Sequence, residues 1–227
     1  MRPSLTELLK ARISTRAFLP TPVPESVVRE ILDVARWAPS GGNLQPWKVI
    51  VVSGAARDAV VALGPAAAIR DESDERPVYP ENLWEPHRTR RYRIGEALYG
   101  VLGIPREDKA ARLQQMARNY EFFDAPVAFF FVIDGRMGHG QWAHLGMFMQ
   151  SCALAAAERG LATCFMESWG RLRKTLKAHF ALPQNELVYC GMALGHADPD
   201  APVNRLRSER APVEEFATFV STARRTS

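Results

Sequence analysis

Residues 125–134 read "APVAFFFVID", a continuous apolar run of strand length, the pattern of a strand covered on both faces rather than one washed by solvent on one side. Further along, "WAHLGMFMQSCALAAAERG" (142–160) is apolar nearly all round and ends in Glu158, Arg159 and a glycine that can close a helix, so it reads as a central buried helix. It is too short, and too punctuated by His144, Gln150 and Ser151, for a bilayer span, which takes roughly 20 apolar residues. "LATCFM" (161–166), "ELVYCGMALG" (186–195) and the stretch from Trp47 to Ser53 supply further strands, and a helix carrying Leu172, Leu176 and Phe180 separates the first two.

The flanks follow ordinary helix grammar. Ser4 and Glu7 form a capping box, with Leu5, Leu8 and Leu9 as an apolar face, which predicts a short helix to about Arg12. From Pro24, the residues Val28, Ile31, Leu32, Ala35 and Ala38 repeat at helical spacing until Pro39. The middle, from about 70 to 104, is rich in proline, charge and aromatic residues and reads as an ordered excursion of the kind that serves function. Helix is expected again from Pro105, with Ala110, Leu113, Met116 and Ala117 inward, and the tail closes on an amphipathic "VEEFATFV". The whole is an α+β pattern, without repeats, in one domain over 1–227.

Charge and cysteine content narrow the class. The net charge of +4 comes from 29 basic and 25 acidic residues, interspersed along the chain, too weak and diffuse for a nucleic-acid stripe. Three cysteines, Cys152, Cys164 and Cys190, lie far apart in apolar runs, which argues against a disulfide framework and for a reducing compartment. The N-terminal stretch lacks the apolar segment of a signal peptide, so a cytoplasmic location is expected, with no membrane partner.

The chemistry gathers where the first helix gives out. Arg12, Ser14 and Arg16 place two forked cationic donors around a hydroxyl, a set suited to phosphate oxygens or, equally, a solvated basic turn. A second basic cluster, "NRLRSERAP" (204–212), has the same two readings. No dinucleotide-binding glycine motif, Walker loop or nucleophile elbow occurs. The five histidines lack paired metal-ligand spacing, so no metal is expected. With the self-sufficient catalytic groups missing, an enzyme of this sequence would depend on a bound cofactor. A third feature is the connector "PSGGNLQPWKVIVV" (39–52), whose two glycines and two amides, Asn43 and Gln45, exceed what a turn requires.

Taken in order, "ARISTRAF", "RWAPSGGNLQPWKVIVV", "RNYEFFDAPVAFFFVID", "GMFMQSCALAAAERGLATCFMESW" and "YCGMALGHADPDAPVNRLRSERAPVEEF" resemble the flavin-dependent nitroreductase family over most of the chain. The excursion, with "YPENLWEPHRTRRY", is similar to the branch acting on nitrobenzoate-like acids. The resemblance implies a central, mostly antiparallel sheet flanked by helices, in a homodimer, with FMN bound and with NADH or NADPH as electron donor. The activity implied is ping-pong, two-electron reduction of nitroaromatic or related small aromatic substrates, with no side chain needed as a catalytic acid or base. Two alternatives stand beside it: a same-fold flavin enzyme with another reaction, such as reductive dehalogenation or flavin cleavage, and a non-catalytic flavin-binding module.

Residue by residue, the resemblance gives Arg12, Ile13, Ser14 and Arg16 to the FMN phosphate and the pyrimidine edge of the flavin, joined by Arg207 and Arg210 from the second basic cluster. Ser40, Gly41, Asn43 and Gln45 fall in the loop that serves the flavin held mainly by the partner subunit. Met166, Glu167 and Ser168 match the segment whose backbone lies by the reactive flavin nitrogen, with Ser168 standing where the family commonly has glycine. Asn119 resembles a flavin-contacting asparagine, with helix capping as the other reading. Arg90, Arg91 and Tyr92 would meet substrate if the 70–104 excursion closes as a lid.

Overall fold

The computed structural model describes residues 3–68, 72 and 78–221. Four strands form one sheet: β1 (Lys48–Ser53), β2 (Val127–Asp134), β3 (Ala162–Met166) and β4 (Glu186–Gly195). Their order is β1-β2-β4-β3, and every pairing is antiparallel. β2 is central, and its residues Val127–Ile133 are all buried, as the uninterrupted apolar run requires.

The pleat divides β2 between two cores. Ala128, Phe130 and Val132 face one layer, built from Phe122, Trp169, Leu172 and Leu176. Val127, Phe129, Phe131 and Ile133 face the other, where helices α2 (Glu25–Ala35) and α6 (His139–Glu158) lie. Where β2 pairs β4 the register shifts: Phe131 lies opposite Cys190 and Val132 opposite Val188, which leaves Tyr189 as a bulge residue. The bulge turns Tyr189 onto the same face as Cys190.

The remaining helices are α1 (Leu5–Ala11), α3 (Gly54–Val61), α4 (His87–Val101), α5 (Lys109–Ala117) and α7 (Arg173–His179). α1 begins at the expected capping box: Ser4 Oγ accepts from the Glu7 N–H, and Glu7 Oε2 accepts from the Ser4 N–H at 2.7 Å. α6 ends in a Schellman motif, in which Gly160 at φ +72° lets the Leu161 N–H reach the Ala156 carbonyl at 3.0 Å.

Three expectations are corrected. Residues 87–101 of the excursion form helix α4, which lacks a buried apolar stripe that would announce it; positions 69–71 and 73–77 lie outside the described residues. α5 turns all four residues expected inward, Ala110, Leu113 (65% exposed), Met116 (54% exposed) and Ala117, outward. It does so because Arg112 faces α4, pairing with Glu96 at 2.8 Å and lying 4.1 Å over the Tyr99 ring. Among the described residues the "VEEFATFV" stretch makes a 3-10 turn at Val213–Glu215 and no α-helix, and Phe216 and Phe219 stand in solvent.

Candidate functional site

The segment after α1 runs beside the outer edge of β3. Ser14 bridges Thr163 in parallel, and the Thr15 N–H donates to the Thr163 carbonyl at 3.0 Å. In so extended a segment alternate residues share a side, which puts Arg12, Ser14 and Arg16 together. Burial pushes the neighbouring Cys164 thiol up to about 11, and the Arg16 charge, the Ser14 hydroxyl and the Arg12 charge pull against the shift. Among the described residues neither arginine has a carboxylate partner, and Arg12 Nε is buried without a hydrogen bond.

Asn204 fixes this edge to the loop after β4. Its Oδ1 accepts from the Arg16 N–H at 2.9 Å, while its Nδ2 donates to the carbonyls of Ala17 and Asp198 at 2.8 and 2.9 Å. A cleft of about 820 Å³ opens beside it, lined in part by Arg12, Ile13, Thr15, Arg205 and Arg207. Asn204 and Arg205 lie in the basic cluster 204–212, but the bridging role of Asn204 rests on partners almost two hundred residues away and has no local signal. Arg210 is not brought to this group, because its guanidinium folds back on the Ser208 and Glu209 carbonyls.

The Met166–Ser168 segment leaves β3 along the same edge. Met166 is buried, the Glu167 carboxylate accepts from the Tyr189 hydroxyl at 3.0 Å, and the Ser168 carbonyl accepts from the Tyr120 hydroxyl at 3.1 Å. Burial, reinforced by the Glu167 charge, holds the Tyr189 phenol above its ordinary range, so it stays a donor. A second cavity, of about 480 Å³, lies against Glu167, Tyr189, Trp142 and His139.

The connector ahead of β1 is an exposed turn with left-handed backbone at Gly42 (φ 62°), Asn43 (φ 54°) and Gln45 (φ 47°). Ser40 Oγ accepts the Gln45 N–H at 3.0 Å, and the Gly41 N–H meets His144 Nδ1 at 3.4 Å. A Cβ at Gly41 would stand 3.1 Å from the His144 ring, close enough that the ring would have to give by a few tenths of an ångström. Within one chain this loop is not brought to Arg12. It leads into β1, and β1 and β3 are opposite edges of the sheet, roughly 14 Å apart at three strand spacings.

Asn119 donates to the Met116 carbonyl at 2.9 Å, closing the end of α5, so the capping geometry is present. On α4, Arg90 is paired with Glu215, Arg91 lies 4.1 Å over the Tyr79 ring, and Tyr92 is exposed beside Arg106. Among the described residues there is no cluster of three or more His, Cys, Asp or Glu that could hold a metal.

An antiparallel sheet flanked by helices, with two arginines free of carboxylate partners among the described residues along one edge, defines a class of α+β fold with a candidate anion site, and the comparisons specify the family. The family model described as the nitroreductase family matches residues 9–196, and the chain belongs to that family. It is 37% identical over 213 residues to the 4-nitrobenzoate reductase of Pseudomonas putida, covering 94% of each chain. It is 37% identical over 221 residues to the nitrobenzene nitroreductase of Ectopseudomonas oleovorans, covering 96% of this chain and 97% of that one. Among solved structures it resembles the FMN and NADPH-dependent nitroreductase NfnB from sphigopyxis sp. strain HMH, with a TM-score of 0.93 and 39% identity over 97% of this chain and all of that one.

Proposed function

We propose that the chain is an FMN-dependent nitroreductase that draws electrons from NADH or NADPH. The observation that carries this reading is the pair of guanidinium groups on the edge of β3, Arg12 and Arg16, flanking Ser14 and free of carboxylate partners among the described residues. A flavin phosphate fits that donor set, since two cations and a hydroxyl are what a doubly charged anion satisfies. The buried Arg12 Nε is a donor still available to it.

When bound, FMN supplies the two-electron chemistry between nicotinamide and nitro group. The chain's own work is to bind and orient. Arg12, Ser14 and Arg16 hold the phosphate end; Arg207 lines the neighbouring cleft with Arg12, its guanidinium turned to the Asn204 and Leu206 carbonyls, and would join only by letting those go. The Met166–Ser168 backbone carries the ring end further along the same edge. Arg210 would join only by leaving its own loop.

The working unit is a homodimer in the cytoplasm. What supports two copies is that Ser40, Gly41, Asn43 and Gln45 sit off the opposite sheet edge, so a flavin touched by both groups requires a second chain. Trp37 at 79% exposure, together with exposed Leu5, Leu9 and Leu44, supplies apolar surface for that contact. Among the described residues no helix is long and apolar enough to cross a membrane. The excursion that contains α4 and Tyr92 would cover substrate, and the names of the two relatives support both charged and uncharged nitroaromatics as substrates. The test is direct: protein reconstituted with FMN is expected to oxidise NADPH steadily in the presence of 4-nitrobenzoate or nitrobenzene. A preparation that binds no FMN, or oxidises NADPH without consuming a nitro compound, overturns the reading.

A further inference from the structure

Two tyrosines reach one short segment from different layers of the protein. Tyr189 is the bulge residue of β4, and the extra residue re-aims its ring. The ring stands edge-on to Trp142 at 5.5 Å, and the hydroxyl meets the Glu167 carboxylate at 3.0 Å. Tyr120 comes from the 3-10 turn Arg118–Asp124, and its hydroxyl donates to the Ser168 carbonyl at 3.1 Å. Its approach depends on a glycine, since a Cβ at Gly64 would lie 2.6 Å from Tyr120 Cβ.

The surroundings are held against local preference. Phe122, Phe123 and Asp124 are consecutive left-handed residues, with φ of 56°, 53° and 68°, an arrangement that side chains resist. Arg57 clamps the turn by donating to the Glu121 and Ala125 carbonyls at 2.8 and 2.7 Å. The clamped Phe122 stacks on Trp169 at 5.0 Å, and Gly191 leaves the room, since a Cβ there would stand 2.6 Å from Trp169 Cδ1. Ser168 Oγ and Trp169 Nε1 are buried without a partner among the described residues. A segment so poorly paired in its own interior keeps one backbone path only if something outside fixes it.

We propose that Tyr120 and Tyr189 are positioning residues that hold the Glu167–Ser168 backbone at the flavin and so set the relative affinity for oxidised and reduced FMN. This rests on the reading of the β3 edge as the flavin site. Tyr120 fixes the peptide plane that carries the Ser168 carbonyl, and Tyr189 anchors the Glu167 side chain just before it, so the segment is held from both sides. Neither hydroxyl needs to touch the flavin.

The variants Tyr120→Phe and Tyr189→Phe keep both rings and remove one hydroxyl each. In the FMN-loaded protein each is expected to change the ratio of affinities for oxidised and reduced FMN by about tenfold, read as ~30 mV in the two-electron midpoint potential. The flavin visible spectrum should shift with it. A purely packing role would lower the melting temperature and leave the potential in place. Midpoint potentials of both variants within about twofold in that ratio, ~9 mV, of the parent overturn the proposal while leaving the flavin site standing. A parent protein that takes up no FMN overturns both.

Discussion

Two groups of arginines, on the edge of β3 and on α4, differ in what surrounds them. On the edge of β3, Arg12 and Arg16 are half-buried and have no carboxylate ion-pair partner among the described residues; Arg16 donates to the Ser14 carbonyl at 3.3 Å, and Glu7 and Asp198 line the same cleft as Arg12 without pairing to it. On α4, Arg88 pairs with Glu85, Arg90 with Glu215 and Arg93 with Glu209, while Arg91 covers the Tyr79 ring. In the sequence the α4 group is the more conspicuous. In space it is the less available, because a cation that already has an anion gains little from a second one. The difference shows why a count of arginines is a poor guide to an anion site and an inventory of their partners a better one.

The sharpest way to test that contrast is to remove each group in turn. Arg12→Ala and Arg16→Ala are expected to weaken FMN by roughly 10- to 150-fold each, the equivalent of losing ~1.5–3 kcal/mol of charge-assisted hydrogen bonding. Arg90→Ala and Arg91→Ala should leave FMN affinity within about twofold, because exposed ion pairs carry so little. Fluorescence titration of apo-protein measures all four. An α4 variant that loses FMN as severely as Arg16→Ala would break the distinction.

A second test uses the thiol among the β3-edge arginines. The folded Cys164 thiol is held at about 11 by burial, above the 9.0 of an exposed thiol. Stability from the protonated thiol is therefore complete below pH 9 and is lost as pH climbs toward 11, at up to ~1.4 kcal/mol per pH unit for this group. Urea unfolding at pH 8, 9 and 10 should show a steeper decline in the parent than in Cys164→Ala. Parallel curves would mean that the thiol is less enclosed than its position beside Ser14 indicates.

The smallest expected effect concerns substrate charge. With Arg90 already neutralised, Arg90→Ala should change the ratio of turnover of nitrobenzoate to its methyl ester by less than about twofold, while Glu215→Gln, which releases Arg90, should raise it by roughly two- to fivefold. A tenfold fall in Arg90→Ala would make the α4 group part of the substrate site and reverse the ranking of the two clusters.

What the sequence made legible follows the same division. β2, α6 and the capping box of α1 could be read because their signals are local: an unbroken apolar run, a glycine after a buried helix, a serine three residues before a glutamate. The arginine–serine–arginine edge was legible as an anion candidate for the same reason. α4 was not, because its inward side is Ile94, Glu96, Leu98 and Tyr99, a mixture that no hydrophobic period detects. The outward turn of Leu113 and Met116 follows from the demand of Arg112 for Glu96, a partner sixteen residues away on another helix. Asn204 has hydrogen-bond partners almost two hundred residues back along the chain, and Tyr189 is aimed by a bulge whose presence depends on pairing with β2. Each of these is a long-range fact, invisible in any window of neighbouring residues.

The bridge between Ser14 and Thr163 has a consequence apart from ligands. An outermost strand offers a row of unsatisfied peptide groups on which another chain can crystallise as a further strand. Residues 14 and 15 occupy part of that row on β3, so the stretch that presents the arginines also blocks strand-to-strand growth of fibrils from this border of the sheet. A lesion that peels the stretch away would displace the arginines and bare the row of peptide groups at once, and the protein would begin to stick to its own kind.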